Sequence, residues 1–362
     1  MNAFPSLAFE AASPAAARNS GILIFGCGSF ARDLHRAASA EGIAVRGFVV
    51  SGGNASTCAG LPVAALTALP PGWSALPLWI GVFNREPSAD YAAILAACSG
   101  AGFTQTWLPQ HYFEIVSARL GWRYWLTERG AYATRESELR ASYARLEDAT
   151  SRTFFADILR FRLGACESIA GAPAAGTQYF PDFLTAIDHA PLGFIDAGAY
   201  NGDTLEQAAA HLPLREAWAF EPDAGNFPLL AARAARLPMP TVCLPCGVSS
   251  SNGNLAFSGG HGEASTLGGE GNSHVQVVRL DDCLPNGRVG YLKLDVEGHE
   301  LEALGGSETL IRRNRPILAI AGYHRWDDLW RIPAWIAGLD LDYRLRFRIH
   351  AHNSFDAVFY AY

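Results

Sequence analysis

No stretch of this 362-residue chain approaches the roughly 18–20 consecutive apolar residues of a membrane-spanning helix, so no membrane span is expected. A long basic run is also missing and the formal net charge is −7, which argues against nucleic acid as a partner. Residues 1–20 lack the apolar core of a signal peptide; rich in Ala, Pro and Ser, they read as a flexible tail. The seven cysteines are scattered without the framework of a small secreted domain, which favours a reducing, cytoplasmic setting. The one C-x-x-C, Cys243-Leu-Pro-Cys246, has no second pair to complete a zinc site and reads as core thiols. There is no internal repeat.

What is present suits two globular domains: 49% of residues are hydrophobic and 17% charged. Gly21-Ile-Leu-Ile-Phe-Gly-Cys-Gly-Ser-Phe-Ala-Arg-Asp-Leu-His35 reads as a strand, a G-x-G-x-x-A turn and a helix to Glu41-Gly42. A strand over Ala44–Val50 follows, but it ends Val49-Val50-Ser51-Gly52 with no acid for a ribose. A further strand at 76–82 and a helix at 89–99 complete a Rossmann-like domain over 21–130. It reads either as a site for a nucleotide or nucleotide sugar or as a degenerate domain that packs or recognises a partner. Between 131 and 190 the pattern turns helical, with Leu139, Tyr143, Leu146, Phe154, Ile158, Leu159 and Leu163 recurring at threes and fours. This predicts a helical connector ended by Gly171-Ala-Pro173.

From 191 to 362 strands and helices alternate. The pattern predicts strands at 193–197, 217–220, 241–244, 291–295, 317–321, 343–349 and 357–360. The last two have only Ala351–Phe355 between them and should form an antiparallel hairpin at one end of a mostly parallel sheet. The expected fold is therefore α/β, with two doubly wound domains and a helical connector. Within the second domain, Gly193-Phe-Ile-Asp-Ala-Gly-Ala-Tyr-Asn-Gly-Asp-Thr204 is a strand, glycine turn and helix start, and Glu221 stands at the end of the next strand. Asp196 before Gly198 is hostile to a pyrophosphate. S-adenosylmethionine has no phosphate and carries ammonium and sulfonium charges, so it suits such a turn better.

Four segments resemble the FkbM-type family of class I S-adenosylmethionine-dependent methyltransferases. They are Phe194–Thr204, Ala219-Phe-Glu-Pro222, Leu292-Lys-Leu-Asp-Val-Glu-Gly-His-Glu300, and Gly322-Tyr-His324 with Asp328-Leu-Trp-Arg-Ile-Pro333. The third is the most specific. The ending Ser354-Phe-Asp-Ala-Val-Phe-Tyr-Ala361 and the upstream segments Leu146–Arg152 and Gln178-Tyr-Phe-Pro-Asp182 are similar as well. The resemblance implies an O-methyltransferase acting on a hydroxyl of a sugar, glycan, polyketide or related metabolite, and says nothing firm about residues 21–130.

Asp196 and the turn Gly198, Ala199, Tyr200 and Gly202 would seat the methionine end of the cofactor, with Asp196 near its ammonium. Asp203 and Thr204 start a helix, where capping alone could explain them. Glu221 would accept the ribose hydroxyls, Pro222 would fix its turn, and Gly247 and Val248 would line the adenine. At the fourth strand's end, Asp295 and Glu297 should face methyl and acceptor, with Asp295 also near the cofactor. His324 ranks first as general base, ahead of Asp295 and Glu297, because an ordinary imidazole titrates near neutral pH. Its plain alternative is a satisfied strand-end residue. Lys293 reads either as a partner of Glu297 or Asp295 or as a catalytic group, and Glu300 as a stabiliser of a helix N-terminus. Asp281, Asp282, Asp295, Glu297 and His299 could surround Mg²⁺, but no spacing demands it, and no metal is expected. The Gly- and Ser-rich stretch 249–273 reads as a lid or a plain hairpin loop. Trp326 and Trp330 could stack on a sugar or fill the core. The rivals are an NAD(P)-dependent oxidoreductase using Gly26–Ala31 and a non-catalytic cofactor-binding scaffold. Oligomeric state is open.

Overall fold

Short apolar runs bounded by glycines set the strands of both sheets. The computed structural model describes residues 4–10, 15–53, 56–169, 177–185, 192–258, 266–267 and 273–362. Ile22–Phe25 forms β1, buried along its whole length. The chain leaves it through Gly26 at φ 101°, where a Cβ would come within 3.0 Å of the Val82 side chain. Helix Ser29–Ala40 follows, then β2 (Val45–Val50), β3 (Thr57–Cys58), β4 (Leu61–Ala65), β5 (Leu78–Ile80) and β6 (Thr106–Trp107). Their order is β3-β4-β2-β1-β5-β6, parallel except for the β3–β4 pair. The order reverses between β1 and β5, which places Gly26 and Gly81 at a topological switch point.

Two expectations about the flanks change. The start of the chain is not wholly a loose tail: Leu7 and Ala17 are buried and Ala15–Ser20 is helical. Guanidinium groups of Arg140 and Arg129 cover the rings of Phe4 and Phe9, at 4.3 and 4.8 Å from the centroids. The predicted connector breaks into helices Glu136–Arg145 and Ala149–Arg162. Asp148 accepts the Ser151 N–H at 2.6 Å and starts the second helix afresh. The division between two units also falls there. One comprises Met1–Arg140, Arg152–Pro173 and Ala351–Phe355, the other Ala141–Ser151, Ala174–His350 and Asp356–Tyr362.

The second unit holds β7 (Leu192–Ala197), β8 (Leu214–Phe220), β9 (Thr241–Leu244), β10 (Gly247–Val248), β11 (Gly253–Ser258), β12 (Thr266–Leu267), β13 (Ser273–Val278), β14 (Val289–Leu294), β15 (Ile317–Ala321), β16 (Leu345–Ile349) and β17 (Ala357–Ala361). Seven of them form the sheet β16-β17-β15-β14-β7-β8-β9. β17 is antiparallel to both neighbours and the other pairings are parallel, giving the expected terminal hairpin. β10-β13-β11-β12 make a second, small sheet out of much of the stretch expected to be a lid or loop. β11 and β13 pair antiparallel over five positions there, and residues 259–265 and 268–272 lie outside the described residues.

The core of this unit fixes the position of Tyr179. Phe180, Phe194 and Tyr291 pack with ring centroids 5.6–5.9 Å apart. The Tyr291 and Tyr360 hydroxyls donate to the carbonyls of Tyr179 and Gln178. Residues 178–180 are thereby pinned against the sheet, and Tyr179 is buried among its strands.

Candidate active site

Left-handed turns after β7 and β14 build the site. Gly198 follows β7 at φ 77°, and a Cβ there would lie 1.7 Å from the Asp295 carbonyl oxygen, so only glycine allows the two turns to touch. Tyr200 at φ 48° and Gly202 at φ 84° then swing the chain into helix Asp203–His211. The Gly198 and Ala199 N–H groups both donate to the Phe220 carbonyl at 3.0 Å. Glu221 accepts the Tyr200 N–H at 2.8 Å on Oε2 and the Asp223 N–H at 2.8 Å on Oε1, so one carboxylate ties the first turn to the end of β8. Burial pushes the Glu221 pKa up to about 7, against the pull of these N–H bonds. Pro222 follows it, half-buried.

Other expectations for this half of the site are corrected. The close ion pair of Lys293 is with Asp196, where Asp295 or Glu297 was expected. Parallel register sets it beside Asp196, with Nζ 2.9 Å from Asp196 Oδ1 and 2.6 Å from the Gly198 carbonyl. Asp196 is wholly buried, and burial raises its pKa to about 6 while Lys293 pulls it down. Closed off beneath the turn, it supports the backbone and does not present itself to a cofactor's ammonium. Gly202 is the N-cap of the helix, and Asp203 in its first turn accepts the otherwise free Thr204 N–H on Oδ1 at 2.9 Å. Gly247 and Val248 are both buried and pair with Val277 and Val278, so Val248 offers no exposed side chain to a base.

Beyond β14, Glu297 at φ 53° and Gly298 at φ 91° turn the chain sharply. Three side chains converge there. His324 Nε2, just past β15, lies 3.4 Å from Asp295 Oδ1 and 3.5 Å from Glu297 Oε2. His324 Nδ1 lies 2.8 Å from Glu300 Oε1, which also accepts the N–H groups of Val296 and Gly298 at 2.9 and 3.4 Å. The Tyr179 hydroxyl donates to Asp295 Oδ2 at 2.6 Å. His324, Glu300 and Asp328 are buried, whereas the side chains of Asp295 and Glu297 keep 22% and 16% of their exposure. These two carboxylates are therefore what an incoming molecule meets.

The electrostatics of the cluster decide what His324 can be. Burial disfavours its charge, but Glu300 and Glu297 outweigh that and hold the imidazole well above its ordinary pKa. Burial raises Glu297, and it takes Asp328 up to about 8. Carboxylates that favour its proton surround this imidazole, which weighs against His324 as a free base. The metal set considered from sequence does not assemble. Asp281 accepts the N–H groups of Thr309 and Leu310 at 3.1 and 2.7 Å, Asp282 takes Asn252 at 2.7 Å, and His299 faces Ser249 at 2.9 Å. Nothing in the local sequence around Tyr179 signals its contact with Asp295, which the fold brings about across 116 residues. Glu300 proves to hold His324 besides the turn at its own helix start.

In the first unit, the Gly26 turn leaves open space where Gly28 would carry a Cβ, and the Cys27 carbonyl is taken by Arg32 at 2.9 Å. All seven cysteines are free thiols, and burial pushes Cys246 up to about 11.

Comparison with known proteins bears on the second unit above all. Residues 196–345 match the family described as the methyltransferase FkbM domain. A curated relative, the hexuronic acid methyltransferase AglP of Haloferax volcanii, is 35% identical over an alignment of 98 residues that covers 25% of this chain. The chain spans only 40% of that relative's length. The crystal structure of a methyltransferase FkbM from Methylobacillus flagellatus KT superposes with a TM-score of 0.75 at 18% identity, over 96% of this chain and 91% of that one. At that identity the likeness is one of fold.

Proposed function

Because residues 196–345 are a methyltransferase FkbM domain, of the class I kind that draws on S-adenosylmethionine, we propose that this protein methylates a hydroxyl of a sugar, glycan or related metabolite. One observation carries the reading: the Gly198 turn abuts the backbone of Asp295, so the turn suited to the cofactor and the Asp295–Glu297–His324 cluster share one end of the sheet. The sugar is supported by the relative's name, hexuronic acid methyltransferase.

In this account the backbone of Gly198, Ala199, Tyr200 and Gly202 seats the methionine end, and Asp203 and Thr204 border it. Glu221 accepts ribose hydroxyls through lone pairs not used by Tyr200 and Asp223, beside Pro222. The backbone of Gly247 and Val248 flanks the adenine. The acceptor oxygen attacks the methyl carbon in line with sulfur; the O–C bond forms as the C–S bond breaks, and its electron pair stays on sulfur. Asp295 and Glu297 face the hydroxyl and draw off its proton. Trp326, half-buried two residues past His324, leaves ring surface for a sugar, while Trp330 is buried against it at a centroid distance of 4.9 Å. The turn Gly26–Ala31 suits either a nucleotide or nucleotide sugar or a degenerate domain that packs or recognises a partner. An oxidoreductase is disfavoured because β2 ends Val50-Ser51, with no acid for a dinucleotide's ribose.

The test is transfer of radiolabelled methyl from S-adenosylmethionine to a panel of uronic acids, hexosides and nucleotide sugars, beside amine and carboxylate acceptors. Label in a sugar hydroxyl is expected. Label confined to amines or carboxylates would refute the acceptor class.

A further inference from the structure

We propose that Asp295, Glu297 and His324 bind a divalent transition-metal cation of the Mn²⁺ or Zn²⁺ kind at the acceptor end of the site. The three donor atoms, one imidazole nitrogen and two carboxylate oxygens, come from the ends of two adjacent strands and lie within 4.8 Å of one another. Their spacing is informative. At 3.4 and 3.5 Å the His324 contacts are longer than good N–H···O hydrogen bonds. Donors each about 2.1 Å from one ion, about 110° apart, stand about 3.4 Å from each other. Glu297 Oε2 is buried and accepts no hydrogen bond from the described residues.

The surroundings are those of a ligand set held from behind. A metal-bound histidine usually gives its other ring N–H to a carboxylate, and Glu300 stands 2.8 Å from Nδ1, which leaves Nε2 toward Asp295 and Glu297. Tyr179 engages Oδ2 of Asp295, which turns Oδ1 toward His324. Glu297 reaches the cluster only because its backbone is kept at φ 53°, a costly conformation for a side chain of this size. An imidazole among carboxylates suits Mn²⁺ or Zn²⁺ better than Mg²⁺ or Ca²⁺, which prefer oxygen alone. Three protein donors do not fill the coordination shell of such an ion and leave positions for water or a substrate oxygen.

What the cation would do rests on the function proposed above. An acceptor hydroxyl bound to it gives up its proton to water more readily, and the resulting oxygen forms the O–C bond as the C–S bond breaks toward sulfur. The two carboxylates then act on the hydroxyl through the ion they hold.

The experiment is titration of the EDTA-treated, dialysed full-length protein with Mn²⁺ by electron paramagnetic resonance and with Zn²⁺ by calorimetry. About one equivalent is expected to bind. Glu297→Gln and Asp295→Asn should each weaken binding at least tenfold, and Glu300→Gln about 10–100-fold through the histidine it orients. Asp282→Asn, outside the set, should leave it unchanged. S-adenosylhomocysteine stabilisation in EDTA is measured alongside, as a check on folding and on the methyl-donor site. Wild-type protein that is stabilised by S-adenosylhomocysteine yet binds neither ion below millimolar concentration overturns the proposal. So does wild-type ion affinity in both Glu297→Gln and Asp295→Asn. Ion binding without any response to S-adenosylhomocysteine sinks the methyltransfer reading and leaves the metal site standing.

Discussion

Glu221 accepts two backbone N–H groups and, in the function proposed here, also holds a ribose; its pKa near 7 makes both pH-dependent. In the free protein the folded-state pKa is raised, so its contribution to stability is present below its ordinary 4.5 and is lost as the pH rises through about 7. Ligand binding has the opposite sense, because ribose hydroxyls need the ionised acceptor. Affinity for S-adenosylhomocysteine should fall roughly tenfold between pH 8 and pH 6, and Glu221→Gln should bind weakly with little such slope. Calorimetry at the two pH values checks it. Gly198 is constrained differently. Gly198→Ala forces a Cβ onto the Asp295 carbonyl at a left-handed φ and should cost about 2–4 kcal/mol in urea denaturation. The glycine and Glu221 were legible in the sequence because turn chemistry and strand-end acids leave local signatures. The carboxylate surroundings of His324 were not, since Glu300, Glu297 and Asp295 meet it only through the fold.

At the level of elements, the central fastening is the pairing of β7 with β14. Lys293 and Asp196 are register partners, almost without exposure, and their ion pair also reaches the Gly198 carbonyl. Lys293→Met leaves a buried carboxylate alone and should destabilise the protein by about 3–5 kcal/mol. Lys293→Met with Asp196→Asn should recover much of that, and denaturant midpoints of the two variants decide it. Sequence spacing could not choose Asp196 over Asp295 and Glu297 as the lysine's partner, because cross-strand register is a long-range property. The hairpin β16–β17 was readable from its short connection, whereas the small sheet β10-β13-β11-β12 was hidden by the Gly- and Ser-rich composition of 249–273. Helical periodicity ran unbroken through 135–169, yet Asp148 interrupts it by capping a new helix.

Across the whole molecule, two mostly parallel sheets carry two glycine turns, and the one closer to the dinucleotide pattern has fewer functional groups around it. The Gly26 turn has no acid at the end of β2. The Gly198 turn, less regular in spelling, adjoins Glu221, Asp295, Glu297 and His324. Motif spelling alone favours the Gly26 turn, whereas the proposed function puts the chemistry at the Gly198 turn. No helix among the described residues is long and apolar enough to cross a membrane. The most direct test is a thermal-shift and calorimetric comparison of S-adenosylhomocysteine with NAD⁺ and NADP⁺ on the intact chain. S-adenosylhomocysteine should bind with micromolar affinity and, at about a hundred times its Kd, stabilise by about 2.7 kcal/mol, with Glu221→Ala abolishing the shift. Stabilisation by NAD⁺ or NADP⁺ with no response to S-adenosylhomocysteine would contradict the account.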